Sequence, residues 1–171
     1  MSLHECKIED LSFNPFDKIA NQWMLICAGD EKKANAMTAS WGGVGVWWGK
    51  PAATCYIRQT RYTKEFVDAK DTFSLCFLKD ADHDAHKVFG SVSGRDCDKF
   101  AETGMTLTYI DGTPVVAESE LVFICKKEFA QFMPRESFVD AEAYDRWYST
   151  GGLKDNFHTM YIGAIEKVLQ A

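Results

Sequence analysis

The chain has 171 residues, 46% hydrophobic and 26% charged, and a formal net charge of −6. That is the composition of a globular chain long enough to bury one sizeable core. The acidic balance, with no Lys/Arg-dense face, argues against nucleic acid as a partner, and no apolar run approaches the ~20 residues of a membrane span. The opening residues lack the long apolar segment of a secretory leader, so a cytoplasmic protein is expected.

In chain order, residues 23–28 and 34–41 read as short strands around the hairpin loop Gly29-Asp30-Glu31-Lys32-Lys33. Residues 42–51 read as a glycine-rich loop, a mobile rim over a ligand with Trp41, Trp47 and Trp48 as stacking surfaces, or else as tryptophans packed in the core or at a dimer interface. A strand follows at 51–58. Residues 61–69 have helical spacing, with Tyr62, Phe66 and Ala69 on one face and Thr60 or Thr63 as the cap. After a strand at 72–78, helices at 82–92 and 98–103 flank the polar turn Ser93-Gly94-Arg95-Asp96. Strands return at 105–110, 114–117 and 121–132; a helix at 141–148 precedes a long strand at 156–169. No repeat, low-complexity tract or linker divides the chain. The expectation is a single domain over residues 1–171, mainly β with a few helices, built on an antiparallel β-barrel.

Six cysteines are spread along the chain with no C-x-x-C pair, so neither a zinc site nor a dithiol motif is suggested. Cys27, Cys55, Cys76 and Cys125 fall inside apolar runs, where reduced cysteine serves as a small core hydrophobe. His83 and His86 lie three residues apart beside Asp82 and Asp84. With no third ligand nearby they read as a solvated acidic helix face, and no metal site is expected.

Two stretches carry chemistry. Tyr56, Arg58 and Thr60 share one face of a strand, and a helix opens directly after them at Arg61-Tyr62-Thr63. Free N–H groups at a helix start attract phosphate, and arginine and threonine add hydrogen bonds. The bland alternative pairs Arg58 and Arg61 with surface carboxylates. The second stretch is Asn35-Ala36-Met37-Thr38-Ala39-Ser40-Trp41. Its small and hydroxylic side chains let a ligand approach the backbone, and Asn35 offers both a donor and an acceptor; an edge strand with a polar outer face would read the same way. A flat polar ring at one end and a phosphate at the other is the shape of flavin mononucleotide (FMN). Gly43-x-Gly45 is not a dinucleotide fingerprint, because Trp48 stands where the third glycine belongs and Pro51 opens a strand. His158, ahead of the last strand, either donates to a ligand or caps that strand.

These pieces resemble the flavin reductase-like family, whose fold is the FMN-binding split β-barrel, near its flavoredoxin-type subgroup. The matching motifs are Asn35-x-Met37-Thr38-x-Ser40-Trp41, the Gly42 to Pro51 segment, and Tyr56-Ile57-Arg58-x-Thr60-Arg61-Tyr62-Thr63. Ser93-Gly94-Arg95-Asp96-x-Asp98-Lys99-Phe100 and His158 to Gly163 match in turn, so the resemblance runs through nearly the whole chain. It implies a homodimer with one non-covalent FMN per subunit near the dimer interface. By this resemblance Asn35, Met37, Thr38, Ala39 and Ser40 line the isoalloxazine and ribityl, with Trp41 beside them. Tyr56, Arg58, Thr60, Arg61 and Thr63 shape the phosphate end, and Ser93, Lys99 and His158 are further contacts. Where relatives often carry one bulky residue this chain has Trp47 and Trp48.

The activity so implied is hydride transfer from NADH or NADPH to the flavin, then electron release to free flavin, an iron centre or another small acceptor. No dedicated acid or base is required, because hydride delivery depends on stacking geometry. Backbone N–H groups of Thr38 and Ala39 are the candidates for stabilising the reduced ring. One alternative is a flavoredoxin-type electron carrier reduced by a partner protein. Another is a barrel that binds a different planar ligand, or none.

Overall fold

The computed structural model describes residues 3–171. Its strands are β1 (His4–Cys6), β2 (Met24–Gly29), β3 (Ala34–Ala39), β4 (Gly42–Trp47), β5 (Lys50–Arg58), β6 (Thr72–Leu78), β7 (Leu107–Ile110), β8 (Thr113–Val116), β9 (Ser119–Phe132) and β10 (His158–Gln170). Its helices are α1 (Pro15–Ala20), α2 (Tyr62–Ala69), α3 (Ala85–Ser91), α4 (Lys99–Thr103) and α5 (Ala141–Tyr148). Among the described residues no helix is long and apolar enough to cross a membrane.

One antiparallel sheet runs in the order β3-β2-β6-β9-β10-β5-β4, with β1 added on β10; β7 and β8 form a separate hairpin. The two edge strands, β3 and β4, are consecutive in sequence and joined only by Ser40 and Trp41. The sheet must therefore curl until the end of β3 meets the start of β4 at this corner, yet the two edges do not pair. This is the expected split barrel.

The alternation of side chains explains why the strands hold. Met24, Ile26 and Ala28 of β2 face the barrel interior with Phe73, Phe77, Phe123 and Tyr161. Leu25 and Cys27, on the opposite face, pack with Cys76, Phe89, Val115 and Val122. A strand covered on both faces reads as a continuous apolar run, and each fully buried Leu, Ile or Phe contributes ~1.5–3 kcal/mol. Gly163 marks the tightest crossing. A Cβ there would lie 2.8 Å from the Cys125 Cβ and 2.9 Å from the Phe73 ring.

Several boundaries differ from expectation. The segment read as a glycine-rich loop is a hairpin, with β4 paired to β5 through a two-residue turn at Trp48 (φ 48) and Gly49 (φ 73). Two positive φ values match the right-handed twist of a hairpin. Glycine is disfavoured in strands, but position 42 needs it, since a Cβ there would meet the Thr54 carbonyl at 2.6 Å. Strand β3 stops at Ala39, and Ser40-Trp41 turns the corner. Neither Thr60 nor Thr63 caps α2: the N-cap is Arg61, with no side-chain bond, and Thr63 is buried within the first turn. Its buried face is Thr63 and Val67, while Ala69 is exposed. Helix α3 is shorter than expected because residues 80–82 form a tighter turn ahead of it. Helix α1 was not anticipated, although Asn14 caps it by accepting from the Phe16 N–H at 3.0 Å and Pro15 stands at its first position.

All six cysteines are free; Cys27, Cys55, Cys76 and Cys125 are buried, as the sequence suggests, and Cys6 and Cys97 are half-buried.

Candidate functional site

The site lies at the split. One cavity of about 260 Å³ is lined by Met37, Thr38, Ala39, Ser40 and Trp41 from the β3 edge and its corner, Tyr56 and Arg58 from β5, and Arg61, Trp147 and His158. A smaller one of about 150 Å³ shares Met37 and Arg61 with it and is lined by Asn35, Thr60, Thr63, Ser93, Gly94 and Lys99 among others. Every residue expected to bind the cofactor lines one of the two, which together form a groove along the open edge of β3. Trp47 and Trp48, expected as a rim over the ligand, line neither and stand exposed at the β4–β5 turn. An edge strand is the one place in a sheet where a row of backbone donors and acceptors has no partner strand. The Lys99 ammonium donates to the Ala36 carbonyl. Since backbone polar groups alternate along a strand, Thr38 offers its own backbone groups on that same edge.

Side chains pin this edge from behind. The Asn35 amide donates to the Thr63 Oγ1 at 2.9 Å, tying β3 to the first turn of α2. The Thr38 hydroxyl donates to the His86 carbonyl at 2.7 Å and lies 3.2 Å from His86 Nδ1. It is committed to α3, so only the backbone of Thr38 is available to a ligand.

The arginines do not form the ion pairs of the bland reading. Arg61 donates to the Gly90 carbonyl and, at 2.9 Å, to the Phe89 carbonyl, near the C-terminal end of α3 where cations are favoured. Arg58 donates to the Asn156 carbonyl at 2.7 Å and lies over the Tyr148 ring at 5.0 Å. Lys99, buried, bonds Ala36 and lies 5.4 Å from the Phe89 ring centroid. Among the described residues, none of the three pairs with a carboxylate. Burial lowers the pKa of both arginines. Burial first, and then the Arg61 charge, push Lys99 down to about 8. A bound anion would relieve all of this, so the groove fits a phosphate-bearing ligand.

The opposite end is aromatic. Trp41 packs edge-on against Trp147 at 4.9 Å and beside His158 at 5.0 Å. His158 is buried and accepts or donates through Nδ1 to the Tyr148 hydroxyl at 2.6 Å. Burial, and then the Arg58 charge, lower its pKa to about 4, so the ring is neutral near pH 7. Trp147 and Tyr148 belong to α5 and had no signal as site residues; the helix was legible, but its position over the split depends on packing.

His86 departs from the solvated face expected of it. It is buried, with its pKa lowered to about 4, chiefly by burial. Its ring lies 5.8 Å from Trp23 and 5.4 Å from His83. His83 precedes α3 rather than lying within it.

Comparison with known proteins agrees with this architecture. The Methanosarcina acetivorans flavoredoxin superposes with a TM-score of 0.68 at 19% identity, covering 98% of this chain and 76% of that one. An FMN-binding domain of a flavin reductase-like enzyme from Shewanella baltica gives 0.65 at 16% identity, with 98% and 76% covered. An NADH:FAD oxidoreductase of Streptomyces globisporus gives 0.63 at 16%, with 88% and 75% covered. No curated protein matches the chain significantly. At these identities the structures share the fold. The model of the flavin reductase like domain matches residues 16–170, and the chain therefore belongs to the flavin reductase-like family.

Proposed function

We propose that the groove binds FMN non-covalently and that the protein is an NAD(P)H-dependent flavin oxidoreductase, passing electrons from NADH or NADPH to free flavin or another small acceptor. The observation that carries this is the charge at one end of the groove. Arg61 and Lys99 line the smaller cavity with no carboxylate partner among the described residues. Cations so placed call for an anionic ligand. Bound FMN supplies hydride acceptance and electron release. Arg61, Lys99, Thr60 and Thr63 hold its phosphate, with Ser93 beside them. Asn35, Met37, Thr38, Ala39 and Ser40 run along its ring and ribityl. The Thr38 N–H serves the ring's acceptor edge, while by the same alternation the Ala39 N–H turns toward β2. Trp41, Trp147 and His158 close the far end, and Tyr56 and Arg58, which the resemblance put at the phosphate end, line the cavity with them instead.

An apolar cavity of about 540 Å³ shares Ser40, Trp41 and Tyr56 with the groove and supports an acceptor site there. Exposed Val46, Trp47 and Trp48 at the free edge of the sheet support a homodimer. The free thiols support a reducing, cytoplasmic compartment. Likeness to an NADH:FAD oxidoreductase supports the nicotinamide donor. Likeness to flavoredoxin favours one other reading, a carrier reduced by a partner protein.

The visible spectrum of the FMN-supplemented protein, before and after anaerobic NADH and then NADPH, separates these. Flavin bands that bleach with a nucleotide support the oxidoreductase, and bands that persist support the carrier. Absence of bound flavin overturns both.

A further inference from the structure

We propose that Tyr148 is a positioning residue that donates to Nδ1 of His158 and fixes that ring as the tautomer with its proton on Nε2, a neutral donor on the wall of the groove. The argument is one of satisfied protons. The Tyr148 side chain is 3% exposed, and His158 Nδ1, at 2.6 Å, is its hydroxyl's partner. Were Nδ1 to carry the proton and donate, the phenolic hydrogen would be buried with nothing to accept it, which is costly. The phenol therefore donates, and Nε2 keeps the ring's proton. Trp41 beside the imidazole and the Tyr148 ring edge-on at 5.6 Å fix its plane. The Arg58 charge, 5.0 Å from the Tyr148 ring, disfavours a second proton on the imidazole.

His86 gives the internal contrast. The Thr38 hydroxyl has spent its proton on the His86 carbonyl, so at 3.2 Å it accepts from Nδ1. The two buried histidines beside the β3 edge are thus held as opposite tautomers.

The test is nitrogen NMR of the ¹⁵N-labelled apoprotein near pH 7. The chain has four histidines, and His158→Gln assigns the signal. The expected spectrum shows a pyridine-like Nδ1 and a pyrrole-like Nε2 for His158, with the reverse pattern for a second histidine. Tyr148→Phe, which removes one hydroxyl, should convert the His158 pattern to an exchange-averaged mixture while leaving the others in place. A protonated Nδ1 in the wild type, or an unchanged pattern in Tyr148→Phe, overturns the proposal. The ligand of this donor rests on the flavin reading: FMN should shift the Nε2 signal, and FMN that binds without moving it overturns the donor role. A protein that takes up no FMN fails the flavin reading instead, and the apoprotein spectrum alone then decides the positioning claim.

Discussion

Gly94 lies so close beneath Asn35 that a Cβ on it would come 2.2 Å from the Asn35 Oδ1. The residue after Ser93 thus backs the amide that ties β3 to α2 through Thr63. Gly94→Ala should force Asn35 out of that bond, at a cost of ~1–3 kcal/mol for overpacking. The melting temperature should fall and FMN binding should weaken with it. An unchanged melting curve would show that Asn35 has room to move.

Arg61 borders both cavities, whereas Arg58 borders only the one that holds His158 and Trp147. Arg61→Ala should therefore weaken FMN more than riboflavin, by a margin of ~1.5–3 kcal/mol for a charge-assisted bond. Arg58→Ala should weaken the two ligands alike. Titration of each variant with both flavins checks this; equal losses from Arg61→Ala would move the phosphate elsewhere.

Lys99 supplies a pH dependence. Its pKa falls from 10.5 to about 8 on folding, through burial and then the Arg61 charge. Between those values the unfolded chain holds the extra proton, so stability rises as pH climbs through that window. Below pH 8 the cation stays charged in both states, and its burial is a standing cost. A phosphate beside it reverses the balance by favouring the charged form, so FMN affinity should fall as pH rises above about 8. Lys99→Met should raise the melting temperature of the apoprotein, weaken FMN and flatten the pH profile of binding. A profile that stays steep in Lys99→Met would assign it to another group.

On the acid side the histidines act. His86 and His158 both have pKa values near 4, against an ordinary 6.5, because burial disfavours the imidazolium. The unfolded state binds the proton first, so their stabilising effect is complete above pH 6.5 and is lost as pH falls toward 4. The melting temperature should drop between pH 7 and pH 5, and His158→Gln should make that drop shallower. An equal slope in both proteins would place the titration elsewhere.

Much of this was legible in the sequence because the local rules agreed with one another. Helix α5 spans the expected residues 141–148, and the apolar runs of β2, β5 and β6 fall within a residue or two of their positions. The small and hydroxylic side chains from Asn35 to Trp41 read either as a ligand-facing strand or as a polar edge strand, and β3 is an edge strand whose residues line the groove. What failed was local chemistry overruled by packing. The glycines of β4 imitate a loop, but Gly42 is there for the close approach of Thr54 and Met24. His83 and His86 imitate a solvated helix face, but Trp23, set at a positive φ of 65, covers them. Helix α1 left a usable signal in Asn14-Pro15, which was missed. Trp147 and Tyr148 left none, since nothing in residues 141–148 says which strand the helix will meet.

The corner at Ser40 and Trp41 also limits how the barrel can breathe. Three peptide units separate Ala39 from Gly42, so those two Cα atoms can never be more than ~11 Å apart. The two lips of the barrel are thus tethered by a very short leash, and the mouth cannot gape there like a clamshell. Any widening of the groove must come from its other wall, to which α5 contributes Trp147.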